Sequence, residues 1–341
     1  MSTSRDNRPQ AVLAMRRDLP PRLFDRPLWN RLHSLVAVAP DLVLDDFDAS
    51  AAGTAALADA EILITGWECP PITAAVLDAA PRLAAVVHTG GSVKAHVTEA
   101  CWARGVVVSS AAAANALPVA EYTIAAVILA AKGARALETA YRARRGGIDA
   151  LTEYPGIGGY RRTVGVVGAS RIGRRVIELL RPFDFEVSLY DPLVDTDEAR
   201  RLGVRLVDLP DLLRGNDIVT LHAPSLPSTR HMIDRAGLAS MRDGATLINT
   251  ARGALVDQDA LVRELVTGRL HAVIDVTDPE VPPADSPLYD LPNAVLTPHI
   301  AGALGNELHR LGACAVDEIG RYVAGLPFAH GVAPHELEYT A

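Results

Sequence analysis

From Val164 to Thr297 short β-branched runs alternate with amphipathic stretches, a rhythm that permits little except a parallel sheet flanked by helices. Six runs read as strands: 164–167, 186–190, 217–221, 245–249, 272–276 and 294–297. A shorter alternation precedes them, with strands expected over 41–45, 62–65, 83–88 and 106–109, and predicts a smaller, flavodoxin-like α/β unit. An apolar helix over 117–131 would lead from the first unit to the second, and a helix over 306–324 would lead back. The expected domains are therefore residues 1–110 completed by 306–341, and residues 111–305; a chain of 341 residues suits two cores better than one. The stretch 141–162, with its RARRGG and GIGGYRR segments, reads as a solvated loop with a packing or subunit role, the alternative being a phosphate-binding patch.

The first strand of the larger unit runs straight into a glycine turn, Gly168-Ala-Ser170-Arg171-Ile172-Gly173, followed by an amphipathic helix. A dinucleotide pyrophosphate needs this arrangement, because backbone must approach it closely and helix amides must point at the anion. Ser170 stands where the fingerprint has its middle glycine; it is small enough for close approach and brings a hydroxyl. The next strand ends in Tyr190-Asp191-Pro192, where a carboxylate would accept hydrogen bonds from the adenosine ribose and repel a 2′-phosphate. This is a Rossmann-type unit, and NAD is the expected cofactor.

Composition excludes several classes. A formal net charge of -8 gives no drive toward nucleic acid or an anionic membrane. The N-terminal segment has no apolar core of signal-peptide length, and no later stretch is read as a membrane span, so the expected location is cytoplasmic. Cys69, Cys101 and Cys314 are scattered and odd in number, which fits three reduced thiols and neither a disulfide framework nor a metal site.

Beyond His222 four motifs follow in order: His222-Ala-Pro-Ser-Leu-Pro-Ser-Thr229, Leu247-Ile-Asn-Thr-Ala-Arg252-Gly, Ile274-Asp275-Val-Thr-Asp-Pro-Glu280 and Thr297-Pro-His299-Ile-Ala-Gly302. Together with Val119-Ala-Glu121-Tyr-Thr and the glycine turn, they make the chain resemble the D-isomer-specific 2-hydroxyacid dehydrogenase family over most of residues 60–320. The resemblance implies two doubly wound α/β domains with the active site in the cleft between them. It implies that Arg252 binds the substrate, that Glu280 partners His299, and that His299 exchanges the proton. It further implies a cofactor site made of Gly168, Ser170, Arg171, Ile172, Gly173, Asp191, Ala223, Pro224, Thr229, Thr250, Ala251, Asp275, His299 and Gly302, and a homodimer. Gly90, Gly91 and Ser92, in a turn after a strand, match the turn with which the family holds the substrate carboxylate. Trp67 is a candidate for shaping the side-chain pocket. The chain departs from the family at Thr277, where an aromatic is usual, and at Val93 and Lys94, where an aspartate or asparagine is usual; both departures bear on substrate identity.

The chemistry agrees with that assignment. Hydride addition to a 2-oxo acid builds negative charge on the carbonyl oxygen, so a proton donor and a fixed cation must stand beside it. Imidazole exchanges protons near neutral pH, a neighbouring carboxylate favours imidazolium, and an arginine fork matches a carboxylate. Asp278 competes with Glu280 as the partner of His299, being two residues away. Two other functions fit the same motifs: an NADH-sensing, corepressor-like binding protein, and a phosphite or formate dehydrogenase. Relatives that oxidise formate carry glutamine at the position of Glu280, which disfavours that reaction.

Overall fold

The computed structural model describes residues 8–48 and 50–338. Among them the chain divides into two compact units, one running to Ala116 and resuming at Ala303, the other spanning Leu117–Gly302. The first unit is built on five parallel strands, β1 (Gln10–Ala14), β2 (Ala37–Leu44), β3 (Ile62–Thr65), β4 (Ala85–His88) and β5 (Val107–Ser110), in the order β2-β1-β3-β4-β5. Alternate residues feed opposite faces, as the two-residue strand period requires. Leu13, Ile62, Ile64, Ala85 and Val87 join one apolar cluster, whereas Val12, Ala14, Leu63 and Val86 join another. Helices cover both faces, so the inner strands are mostly apolar. The helix Leu308–Val323 contributes Leu311, Ala315, Val316 and Ile319 to the first cluster, an i, i+4, i+5, i+8 stripe.

β1 had no counterpart in the sequence reading, and β2 starts at Ala37, before the expected 41. The QAVLA of β1 holds one β-branched residue and adjoins a polar segment, so no periodicity marks it. β2 carries Pro40 and is half exposed, as an edge strand tolerates.

The second unit carries seven parallel strands: β6 (Thr163–Val167), β7 (Glu186–Tyr190), β8 (Arg205–Leu206), β9 (Ile218–Leu221), β10 (Thr246–Asn249), β11 (His271–Ile274) and β12 (Ala294–Leu296). Their order, β12-β11-β10-β9-β6-β7-β8, reverses direction on either side of β6. Ligands of open α/β sheets bind at such a switch point, outside the carboxyl ends of the strands, and the glycine turn follows β6 there. The two-residue β8 is too short to leave a sequence signal.

Two expectations are corrected. The stretch 141–162 is not all loop: helix Ala134–Arg144 takes in its first residues and a helical turn, Ala150–Glu153, follows. Helix Ala112–Ala131, with a mean hydropathy of 1.5, is long and apolar enough to cross a membrane by length and composition, contrary to the reading that no stretch qualifies. One side of it packs in the core, where Ala120, Val127 and Ala131 lie with Val164, Ile218 and Ile248.

Gly312 tests the first unit. A Cβ there would stand 2.1 Å from the carbonyl oxygen of Leu23, a backbone atom that cannot yield cheaply. Gly312→Ala is expected to cost about 1–3 kcal/mol by overpacking, read as a lowered midpoint in chemical denaturation; an unchanged midpoint contradicts this packing.

Candidate active site

The glycine turn after β6 depends on backbone meeting backbone. Gly168 has φ +96°, and a Cβ on it would lie 2.7 Å from the Ala223 amide nitrogen. At Gly173 an added Cβ would lie 2.0 Å from the carbonyl oxygen of Gly168. Neither position has space for a side chain, and the turn is thereby held flat on the helix start. Ser170 caps helix Arg171–Leu180, its Oγ accepting from the Gly173 amide at 3.3 Å. The amides of Arg171 and Ile172 belong to the first turn, which has no intrahelical acceptors, and the serine hydroxyl keeps its own proton to donate. Asp191, at the end of β7, accepts from the amides of Ala169 at 2.7 Å and Leu193 at 2.8 Å. These bonds draw its carboxylate to the glycine turn, and each oxygen keeps a lone pair for a further donor. An anion-binding helix start with a carboxylate beside it fits a dinucleotide with an unphosphorylated ribose.

The remaining residues expected around a cofactor lie at the carboxyl ends of neighbouring strands. Ala223 and Pro224 follow β9, and Thr229 closes their loop, its hydroxyl donating to the Pro224 carbonyl at 2.6 Å and accepting from the Leu226 amide at 2.8 Å. Thr250 and Ala251 follow β10; the Thr250 hydroxyl meets that of Thr123 at 3.1 Å. Asn249, which sequence reading passed over, clamps this turn: its Oδ1 accepts from the Ala251 amide at 3.1 Å and its Nδ2 donates to the Arg252 carbonyl at 2.9 Å. Arg252 is thus presented from a fixed backbone, partly buried, its Nη1 donating to the Ala251 carbonyl at 2.7 Å. Burial pulls its guanidinium below the ordinary arginine value, and the charge of Glu280 opposes that. Gly253 next to it has no alternative, because a Cβ would lie 2.1 Å from the carbonyl carbon of Thr277.

His299 and Glu280 meet, with Nδ1 2.6 Å from Oε1. Asp278, the competing carboxylate, instead pairs with Arg230 at 3.1 Å. Asp275, expected as a cofactor contact, has a fastening task. It is 1% exposed and accepts from the Thr297 hydroxyl at 2.6 Å, the Ile300 amide at 2.8 Å and the Ala301 amide at 2.9 Å. Its carbonyl accepts from the amide of His299 at 2.9 Å. His299 has φ +54°, a left-handed conformation that costs a non-glycine residue about 1 kcal/mol, and these bonds hold it there. Gly302 ends the same loop.

In the first unit, Gly90, Gly91 and Ser92 form the turn after β4, and Trp67 follows β3 with its ring partly exposed. Behind the turn lies a cluster that the sequence did not disclose. The Thr65 hydroxyl bridges His88 Nδ1 at 3.0 Å and His96 Nε2 at 3.2 Å, with both rings buried. Among the described residues no group of three or more His, Cys, Asp and Glu is arranged to hold a metal.

Comparison with known proteins gives the same answer. The chain belongs to the D-isomer specific 2-hydroxyacid dehydrogenase family, whose NAD binding domain matches residues 124–301. It is 33% identical over 268 residues to a D-3-phosphoglycerate dehydrogenase of Archaeoglobus fulgidus, covering 78% of this chain and 50% of that one. It is 34% identical over 269 residues to glyoxylate/hydroxypyruvate reductase B of Pectobacterium carotovorum, covering 77% and 82%. The chain spans about half the length of the D-3-phosphoglycerate dehydrogenases. A crystal structure from Thermus thermophilus superposes with a TM-score of 0.74 at 32% identity, covering 95% of this chain and 100% of that one. D-lactate dehydrogenase of Aquifex aeolicus, solved with NAD and lactic acid, gives 0.71 at 26% identity over 94% and 100%.

The buried histidines predict an acid limit. Burial holds His96 down to about 4 and His222 to about 3, and burial with the neighbouring His96 lowers His88 well below its ordinary range. Unfolded, each takes a proton near pH 6.5. Their contribution to stability is complete above that value and is lost as pH falls toward the folded values. The thermal midpoint is expected to drop between pH 7 and pH 5, and to drop less in His222→Asn; equal drops would contradict a neutral buried His222.

Proposed function

We propose that this protein is an NAD-dependent oxidoreductase that interconverts a small 2-oxo acid and the corresponding 2-hydroxy acid. The observation carrying this reading is the 2.6 Å pairing of His299 Nδ1 with Glu280 Oε1, on a ring that stays 47% exposed. The Glu280 carboxylate accepts the Nδ1–H, which fixes the tautomer and leaves Nε2 free to take up and release the exchanged proton. A bound nicotinamide dinucleotide supplies or accepts the hydride at carbon 2. The chain's own work is then to place charge and protons. Arg252 opposes the charge that builds on the substrate oxygen, and its fork suits a carboxylate beside it. His299 Nε2 gives a proton to that oxygen during reduction and takes it back during oxidation, with Glu280 stabilising the charged ring. Gly90, Gly91 and Ser92 offer backbone amides to the substrate carboxylate. Asp191, the Ser170 cap and the amides of Arg171 and Ile172 hold the dinucleotide, with Ala223, Pro224, Thr229, Thr250, Ala251, Asp275 and Gly302 along its path.

The names of the relatives support a substrate with a carboxylate next to the reacting carbon, and the chain's length relative to them leaves the particular acid to experiment. A cytoplasmic homodimer is part of the same reading. The dimer is supported by apolar surface on and after the helix at 134–144: Tyr141 is 62% exposed, Leu151 90% and Tyr160 76%.

The direct test follows NADH absorbance with a panel of glyoxylate, hydroxypyruvate, pyruvate and bulkier 2-oxo acids. One acid is expected to be reduced rapidly; NADH binding without turnover across the panel would favour a sensing protein. His299→Ala should lower kcat in both directions by roughly 10²–10⁴-fold while NADH still binds, and retained turnover would remove its proton-transfer role. Asp191→Ser should narrow the preference for NADH over NADPH; an unchanged ratio would remove Asp191 from the ribose site.

A further inference from the structure

The Gly90–Ser92 turn does not stand alone at the carboxyl end of β4. His88 is the last residue of that strand, is 4% exposed, and folds back so closely that a Cβ on Gly90 would lie 2.6 Å from its Nε2. Its other nitrogen, Nδ1, lies 3.0 Å from the Thr65 hydroxyl at the end of β3. The same hydroxyl lies 3.2 Å from Nε2 of His96, 3% exposed, and the two imidazoles sit 4.4 Å apart.

A hydroxyl has one proton, and when Thr65 gives it to one of the two rings and accepts from the other, the cluster has two arrangements. In one, Thr65 donates to His88 Nδ1 and accepts from His96 Nε2, so both rings carry their proton on Nε2, and His88 presents an N–H at Gly90. In the other, Thr65 donates to His96 Nε2 and accepts from His88 Nδ1. Both rings then carry their proton on Nδ1, and a bare lone pair faces the turn. The shared hydroxyl obliges the two rings to change tautomer together. Both stay neutral because burial disfavours the charged form.

We propose that His88 Nε2–H is a further hydrogen-bond donor to the substrate carboxylate at the Gly90–Ser92 turn, with Thr65 and His96 as positioning residues that set its tautomer. The inference rests on the reading of the protein as a 2-oxo acid reductase and deepens it: a buried, neutral donor beside backbone amides selects a compact carboxylate. Anion binding locks the arrangement that points N–H outward, since the other would set a lone pair against a negative charge.

Two measurements separate this inference from the enzymatic reading beneath it. In histidine-labelled wild-type protein, long-range proton–nitrogen spectra report the tautomer of each ring. With oxamate, a non-reducible 2-oxo acid analogue, added with and without NADH, His88 and His96 are both expected to show the Nε2–H form, with the His88 Nε2 resonance displaced. Nδ1–H on His88, or rings that oxamate leaves unmoved, would overturn the inference even if turnover is found. If no acid is reduced, the enzymatic reading falls and the oxamate spectra still decide the donor. In the kinetic arm His88→Phe should raise KM for the acid about ten-fold, the loss expected for one hydrogen bond to a charged group, with kcat and NADH affinity changing much less. His88→Gln, which keeps a distal N–H, should recover most of that KM, and Thr65→Val should raise it where Thr65→Ser does not. A KM that ignores these pairs would leave His88 a packing residue. Should His88→Phe fail to fold, the Thr65 pair and the wild-type spectra remain decisive.

Discussion

The carboxylate of Asp275 is the constraint on which the candidate site depends. Burying an ionised carboxyl costs several kcal/mol unless donors replace its lost water, and here a hydroxyl and two amides do so. All three belong to the loop after β12, so the charge can be buried only if that loop closes over the end of β11. Closure puts His299 in its left-handed conformation and faces its ring toward a carboxylate five residues beyond Asp275 on the same chain segment. Strand pairing aligns β11 with β12 residue for residue, Ile274 opposite Leu296, so the two halves of the histidine–glutamate pair leave the sheet side by side. The Tyr122 hydroxyl, 3.2 Å from that of Thr297, extends the same network to the helix at 112–131.

Much of this was legible in the sequence, for a reason specific to parallel sheets. Strands buried on both faces are mostly apolar, so β6, β9 and β10 announce themselves as short runs with β-branched residues within a residue of where they fold. The glycines of the turn were equally legible, because only glycine satisfies φ +96° at Gly168 or a 2.0 Å approach at Gly173. Arg252, Glu280 and His299 could be named because each lies in one of the ordered motifs that carry the family resemblance, which implies their roles. The choice between Asp278 and Glu280 could not be made on spacing, since two residues of an irregular loop can point anywhere; Arg230, forty-eight positions earlier, takes the other carboxylate.

What stayed hidden depends on pairings distant in sequence. Asn249 has no periodicity that distinguishes a clamp from an ordinary strand-end asparagine, and its two bonds exist only after the turn to Arg252 forms. Thr65, His88 and His96 are separated by up to thirty-one residues and come together because β3 and β4 lie in register, with Thr65 opposite His88. β1 was hidden for another reason. It is a central strand by topology, paired on both edges, yet its five residues carry too few β-branched side chains to stand out.

The histidines show how partner identity divides one residue type into different tasks. His88, His96 and His222 all lie next to a threonine hydroxyl, a partner that can donate or accept but carries no charge. A buried imidazole so placed gains nothing from protonation, since neither solvent nor partner stabilises the cation. Such rings can pass on hydrogen-bond polarity without becoming cations. His299 has the opposite surroundings, a carboxylate at 2.6 Å and a ring open to solvent on its other side. A proton taken from substrate there leaves a charge that Glu280 and water both accommodate. Of these four histidines only His299 has an acidic partner, which suits it to the proposed proton transfer, while the pair at β4 is suited to recognition.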